Sequence, residues 1–182
     1  RILLKKKIIM ERVSISRSIT RISHEIIESI GDNHERVLIG IHNRGVPLSH
    51  RIGSEILNIS GSEIKLGSLD ITFHRDDYRG RLVMPKVRGS DLGFTIDNKV
   101  VILIDDVLFT GRTIRAALDE LNSFGRALKV QLAVLVDRGH RELPIKADFV
   151  GKNIPTHEGE HVEVNFLETD GKDLVILTSS ED

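Results

Sequence analysis

Residues 100–113 read Val-Val-Ile-Leu-Ile-Asp-Asp-Val-Leu-Phe-Thr-Gly-Arg-Thr: an apolar run, a carboxylate pair and a small hydroxyl-rich turn in direct succession. Val100 to Ile104 show no polar alternation, the pattern of a strand covered on both faces in a parallel sheet. Asp105 and Asp106 then fall at its carboxyl end, the edge at which open α/β sheets bind ligands. Thr110, Gly111, Arg112 and Thr113 lead into Ile114, Leu118 and Leu121, whose steps of four and three mark one helix face. The first amides of such a helix lack internal partners, and its dipole favours an anion in the turn ahead. Two threonine hydroxyls and a guanidinium add donors, so a dianionic phosphate fits the turn. The carboxylates one step back can accept hydrogen bonds from vicinal sugar hydroxyls. Capping alone would need one such residue rather than this whole set. A Walker A loop is excluded by the missing Gly-Lys-Ser/Thr, and no Gly-x-Gly-x-x-Gly follows any strand.

Working outward, a helix is predicted over Ser14 to Ile30, with Ile15, Ile19, Ile22, Ile26 and Ile30 on one face and Gly31 as its stop. Val37 to Ile41 reads as a short buried strand. The turn His42-Asn43-Arg44-Gly45 leads to a second helix over about Val46 to Leu57, and a strand returns between Ile64 and Phe73. This turn is a second candidate anion site. Gly40 and Gly45 let the backbone approach a ligand, Asn43 offers amide donors, and Arg44 a planar charged fork. From His74 to Asn98 the pattern breaks into a charged, glycine-bearing stretch, and a long insertion of this kind is functional or disordered. Further strands are predicted at Val130 to Val136, Ala147 to Val150, His161 to Phe166 and Leu174 to Leu177. The expected architecture is one α/β domain over residues 1–182, with a mainly parallel sheet flanked by helices and a small C-terminal extension.

Composition agrees with a single globular domain: 182 residues, 40 % hydrophobic and 29 % charged, can bury a real core. No apolar run approaches the roughly 20 residues needed to cross a bilayer, and no signal-peptide core is visible. With zero cysteines, disulfide and thiol chemistry are excluded. A cytoplasmic location away from membranes is therefore expected. Because residue 1 is Arg, a few residues ahead of it are expected to be missing. A net charge of -1 predicts no general attraction to nucleic acid, so any RNA site would be a local patch. His157-Glu158-Gly159-Glu160-His161 spells a zinc-protease signature, which works only on a helix. Pro155 ahead of it, Gly159 inside it and the strand-like alternation after it predict a turn instead, and no protein-held metal.

From Val101 to Thr113 the chain resembles the phosphoribosyl-pyrophosphate (PRPP) motif of type I phosphoribosyltransferases. That resemblance implies the type I phosphoribosyltransferase fold, with a small C-terminal hood and a long flexible loop at about 74–98 that closes over PRPP. It implies that Thr110, Gly111, Arg112 and Thr113, with Val107, Leu108 and Phe109 leading into them, hold the PRPP or nucleotide phosphate. Asp105 and Asp106 would hold the ribose and face its developing positive charge. Asn43 and Arg44 would form the pyrophosphate loop, with Arg75 a candidate for the leaving group. Mg²⁺ is expected to arrive with PRPP. Purine-salvage relatives place an acid just before the Thr-Gly pair, where this chain has Phe109, which cannot exchange a proton.

Longer blocks narrow the resemblance. Val134-Leu-Val-Asp-Arg-Gly-His-Arg-Glu-Leu-Pro144, Ala147-Asp-Phe-Val-Gly-Lys-Asn-Ile-Pro-Thr156, Leu69-Asp-Ile-Thr-Phe-His-Arg-Asp-Asp77 and Thr20-Arg-Ile-Ser-His-Glu-Ile-Ile27 are similar to the PyrR family. Its members are uracil phosphoribosyltransferases that double as transcriptional attenuators of pyrimidine operons. The resemblance implies uracil and PRPP as substrates, UMP or UTP as effector, leader mRNA as partner and a homodimer or higher homo-oligomer. Arg138 and Val162 would line the uracil pocket. Arg17, Thr20, Arg21 and His24 form one polar stripe of the first helix, and His140, Arg141, Lys146 and Lys152 a second cationic set; both are expected to contact RNA. Ser29 and His42 stand near places where RNA-binding relatives have basic residues. Two alternatives stay open: an RNA-binding regulator with little turnover, and a purine-type transferase without RNA binding.

Overall fold

The computed structural model describes residues 4–29, 33–72 and 89–180. In chain order the elements are β1 (Leu4–Glu11), α1 (Arg12–Glu28), β2 (Arg36–Ile41), α2 (Gly45–Ser60), β3 (Lys65–Leu69), β4 (Val100–Leu108), α3 (Arg112–Asn122), β5 (Lys129–Asp137), β6 (Phe149–Asn153), β7 (His161–Asn165), α4 (Leu167–Asp170) and β8 (Leu174–Ser180). Strands β3-β2-β4-β5-β6 form an all-parallel five-stranded sheet, and β1-β8-β7 a separate three-stranded antiparallel sheet.

The unbroken apolar run of β4 follows from its central place. Ile102 and Ile104 enter a core built with α1, α2 and the small sheet, while Val101 and Leu103 enter a second core with Ile114, Ala117 and Leu121 of α3. Successive side chains alternate faces, so a strand covered twice has no polar positions to spare. Where β2 meets α2, glycine is compulsory: a Cβ on Gly45 would lie 2.3 Å from the Ile104 carbonyl oxygen, and one on Gly40 2.6 Å from the Gly45 oxygen.

Several expectations need correction. The strand predicted to end at Ile104 continues to Leu108, because Asp105, Val107 and Leu108 keep the parallel register with Val134, Val136 and Asp137. The last sheet strand runs Phe149–Asn153 rather than Ala147 to Val150, and β1 was not predicted at all. The expected open loop at 74–98 is anchored in its second part. Asp91 exchanges two backbone hydrogen bonds with Ser68, and Leu92 and Ile96 are buried in the α3-side core. Residues 73–88, including Arg75, lie outside the described residues. The His157 to His161 segment is a turn closed by the Glu160 amide on the His157 carbonyl, with Gly159 at φ 82°. Its histidines therefore lack the shared helix face that a zinc site needs. No helix among the described residues is long and apolar enough to cross a membrane.

Arg51 of α2 pins the small sheet to the body. Its guanidinium donates to Glu168 (2.8 and 2.7 Å) and Asp173 (3.2 and 2.7 Å) and lies 4.9 Å from the centre of the Phe166 ring. Burial pushes the Asp173 carboxyl up, but hydrogen bonds from Arg51 and the Leu167 amide outweigh it and leave it below the ordinary range. Glu168 is lowered chiefly by the Arg51 hydrogen bond. Depressed carboxyl values contribute stability above the unfolded pKa values, about 4, and that contribution is lost as pH falls through the folded ones. The urea midpoint is thus expected to hold between about pH 7 and 5 and to drop below about pH 4. In Arg51→Ala the midpoint should be lower at neutral pH and the acid limb shallower; an unchanged acid limb would exclude this cluster as its source.

Candidate active site

The carboxyl edge of the sheet opens into a cavity of about 400 Å³ lined by His42, Asn43 and Arg44 after β2, Asp70, Ile71 and Thr72 after β3, Asp105, Asp106 and Val107 of β4, and Thr113 of α3. Three adjacent parallel strands thus end around one space, as expected of ligand sites in open α/β sheets. Asp105 is 6 % exposed. Its Oδ1 accepts the Asp106 amide at 2.9 Å, and Asp106 Oδ1 accepts the Val107 amide at 2.9 Å. Two acids are thereby fixed at the mouth of the strand. Asp70 is held as well, its Oδ1 accepting from the Thr72 amide (3.0 Å) and hydroxyl (2.5 Å).

The turn after β4 reaches Gly111 at φ 94°, a left-handed value that favours glycine. No side chain caps α3 from Gly111 and no acid sits in its first turn, so the positive helix end faces the turn. The Arg112 amide donates to Thr110 Oγ1 at 3.2 Å, and the Arg112 side chain leans toward Glu142, 3.7 Å away. Arg44 stands at the start of α2 and donates through Nε and Nη2 to the Asp170 carboxylate of α4 at 3.2 and 2.8 Å. That hydrogen bond is the main cause raising the Arg44 pKa and lowering that of Asp170. The C-terminal layer therefore reaches across and orients the guanidinium.

Arg138 is 7 % exposed and stacks beneath Phe109, its guanidinium carbon 3.9 Å from the ring centre. Nη2 donates to the Glu160 carbonyl at 2.6 Å, and buried Nε has no partner among the described residues. Burial lowers the Arg138 pKa against a smaller opposing effect of Glu160. Phe109, 41 % exposed, covers this guanidinium and meets His140 edge-on at 6.2 Å. Val162 is half-buried on β7 and packs against the core on the α1 and α2 side.

The two candidate RNA sets behave differently. Arg17, Thr20, Arg21 and His24 line one groove with Ser16, about 380 Å³ in volume. Within it, Arg21 also braces the sheet edge by donating to the Val150 and Gly151 carbonyls and to Glu25. Lys152, next to Gly151, is exposed on β6, and Lys146 is exposed beyond β5. His140 and Arg141 are engaged beside the turn that follows β4. His140 Nε2 lies 2.6 Å from the Thr156 carbonyl, and Arg141 bonds Ile145, Phe109 and Asp137. Asp70, Thr72 and Asp170 were missed as site residues. The end of β3 could have supplied the first two by the same edge rule, but nothing local marks Asp170 as a partner of Arg44.

A carboxylate pair on a central parallel strand, a glycine-turned helix start beside it and an arginine-bearing turn opposite define a phosphoribosyl transferase domain, and the family model of that description matches residues 9–169. The bifunctional protein PyrR of Chloroflexus aurantiacus is 53 % identical over 172 residues, 94 % of each chain. That of Clostridioides difficile is 50 % identical over 175 residues, covering 96 % of this chain and 99 % of its own. The chain belongs to the PyrR family of phosphoribosyltransferases. A solved hypoxanthine phosphoribosyltransferase of Staphylococcus aureus, at 20 % identity, superposes with a TM-score of 0.69 over 96 % of this chain and 92 % of that one, a likeness of fold.

Proposed function

We propose that the chain transfers the phosphoribosyl group of PRPP to uracil, giving UMP and pyrophosphate, and that it also binds leader RNA of pyrimidine genes in a nucleotide-dependent way. The observation that carries the catalytic half is the convergence of Asp105, Asp106, Thr113 and Arg44 on one polar cavity. In this reading the turn at Thr110 to Thr113 receives the 5'-phosphate, and Asp105 and Asp106 accept the ribose hydroxyls and face the cationic sugar that forms as the anomeric C–O bond breaks. Arg44, aimed by Asp170, takes up charge on the departing pyrophosphate. The protein positions anions and stabilises charge, and little covalent help is required. The carboxylates of Asp70, Asp105 and Asp106 are the hard oxygen donors that a Mg²⁺ ion brought by PRPP would favour, and such an ion would offset pyrophosphate charge.

Uracil is the base favoured here because Phe109, 41 % exposed beside the turn, offers an apolar face with no proton to exchange, and Arg138 stacks on that ring. RNA fits the α1 groove, where Arg17 and His24 are exposed on a protein of net charge -1. A cytoplasmic homo-oligomer completes the reading, since exposed Leu4, Ile8 and Val13 on β1 and α1 offer apolar surface to a second copy. The test is direct: protein with uracil, PRPP and Mg²⁺ should yield UMP, and turnover of hypoxanthine in its place would overturn the pyrimidine assignment. In the same preparation Arg17→Ala and His24→Ala should weaken leader-RNA binding by about fivefold or more while leaving UMP synthesis intact. RNA binding equal to wild type would remove the groove from the reading.

A further inference from the structure

The phosphate turn is held from behind by residues 138–145. Three successive carbonyls of the turn point into that segment: Leu108 accepts the Arg138 amide (3.1 Å), Phe109 accepts Arg141 Nη1 (2.8 Å), and Thr110 accepts the Glu142 and Leu143 amides (2.9 and 3.1 Å). In a trans peptide the C=O and the following N–H point in opposite directions. Fixing those carbonyls backward therefore turns the amides of Phe109, Thr110 and Gly111 toward the side where a phosphate would lie. The side chains of Leu143 and Ile145 close the rear of Gly111, 3.4 and 3.2 Å from where its Cβ would be.

Of these four donors only Arg141 acts through a side chain, and that side chain is itself anchored. Nε donates to the Ile145 carbonyl at 2.8 Å and Nη2 to Asp137 Oδ2 at 2.5 Å, so a single planar group ties the end of β5, the bracing segment and the turn. We propose that Arg141 is a positioning residue for the 5'-phosphate turn: by holding the Phe109 carbonyl it keeps the turn's amides aimed at the phosphate of PRPP. This rests on the reading that the turn receives that phosphate. It gives Arg141 a part in PRPP binding alongside the RNA contact expected of its segment.

The test is steady-state kinetics of Arg141→Ala and Arg141→Lys in UMP synthesis, with thermal melts in the presence and absence of ribose 5-phosphate, which probes the turn without base or pyrophosphate. The loss of one charge-assisted contact should raise the PRPP KM of Arg141→Ala on the order of tenfold and abolish the ribose 5-phosphate melting shift. The kcat should stay within about threefold and the uracil KM unchanged, since neither depends on the turn's aim. Arg141→Lys should recover part of the PRPP affinity, because an ammonium can still donate to Phe109. A PRPP KM within about twofold of wild type, a parallel change in all kinetic constants, or a lysine variant no better than alanine would overturn the proposal. Should Arg141→Ala not fold, Arg141→Lys decides alone: a selective rise in PRPP KM supports the role and wild-type constants refute it. Wild-type protein that makes no UMP and shows no ribose 5-phosphate shift would sink the underlying reading itself.

Discussion

Replacing Gly45 with alanine is expected to lower stability by about 3 kcal/mol or more and to cost most of the PRPP affinity of whatever folds. The added Cβ would fall 2.3 Å from the Ile104 carbonyl oxygen and 3.3 Å from the Asp105 Cα, both backbone atoms of the central strand. Neither can rotate away, so α2 must retreat from β4 by most of an ångström. The Gly45 carbonyl is itself packed over Gly40, 2.6 Å from where a Cβ there would sit, so the retreat drags the β2 turn as well. Arg44 rides on that turn and would lose its alignment with Asp170. For a chain of this length the loss corresponds to a melting point lower by roughly 6 to 12 °C. Gly53→Ala, on the same helix, is the control. Its Cβ would meet only the mobile end of Leu66, 3.0 Å away, and alanine favours a helix interior by about 1 kcal/mol, so its melting point should stay near wild type. Equal melting points for both variants would show that the α2 to β4 approach is not constrained as described.

That contrast also shows which features one sequence can display. The strand and turn at Val100 to Thr113 were legible because burial on both sides imposes an unbroken apolar run and an anion turn demands small, donor-rich residues in order. Asp105 and Asp106 were legible as a pair but not as strand residues, since a ladder can continue through polar side chains once they face a cavity instead of the core. β1 was missed because Lys5, Lys6 and Lys7 break the apolar signal on a strand whose residues are mostly exposed. Leu92 and Ile96 were read as loop because their burial depends on the Ser68 to Asp91 bridge, a contact across more than twenty residues that leaves no periodic trace.

The same reasoning separates site residues from their supports. Arg44 could be picked out by its place between glycines ahead of a helix, whereas Asp170 comes from the other sheet system and is joined to it only by folding. Arg141 belongs to a cationic stretch for which the family resemblance suggested RNA and charge alone only solvent. Its three acceptors, the Ile145 and Phe109 carbonyls and the Asp137 carboxylate, come together around it only in three dimensions. Sequence thus exposes groups whose neighbours in the chain share their task, and hides those that act across elements.

Asp105→Asn should cut kcat for UMP synthesis by about 10² to 10³ while leaving the fold unharmed. An amide has nearly the same shape, and its oxygen can still accept the Asp106 amide that Asp105 Oδ1 now accepts at 2.9 Å. What disappears is one negative charge on a side chain 6 % exposed, where little water screens it. The sugar gains positive charge only as the bond to pyrophosphate stretches, so the lost attraction is felt mainly in the transition state, and the PRPP KM should change less than kcat. Because Asp106 faces the same cavity, Asp105→Asn with Asp106→Asn should lose less than the product of the two single losses, as expected for groups that act on one substrate atom together. The measurement is a full kinetic comparison of both single variants and the pair, with thermal melting as the check on folding. A well-folded Asp105→Asn enzyme within about threefold of the wild-type kcat would remove this carboxylate from the chemistry and leave it as a purely structural acceptor.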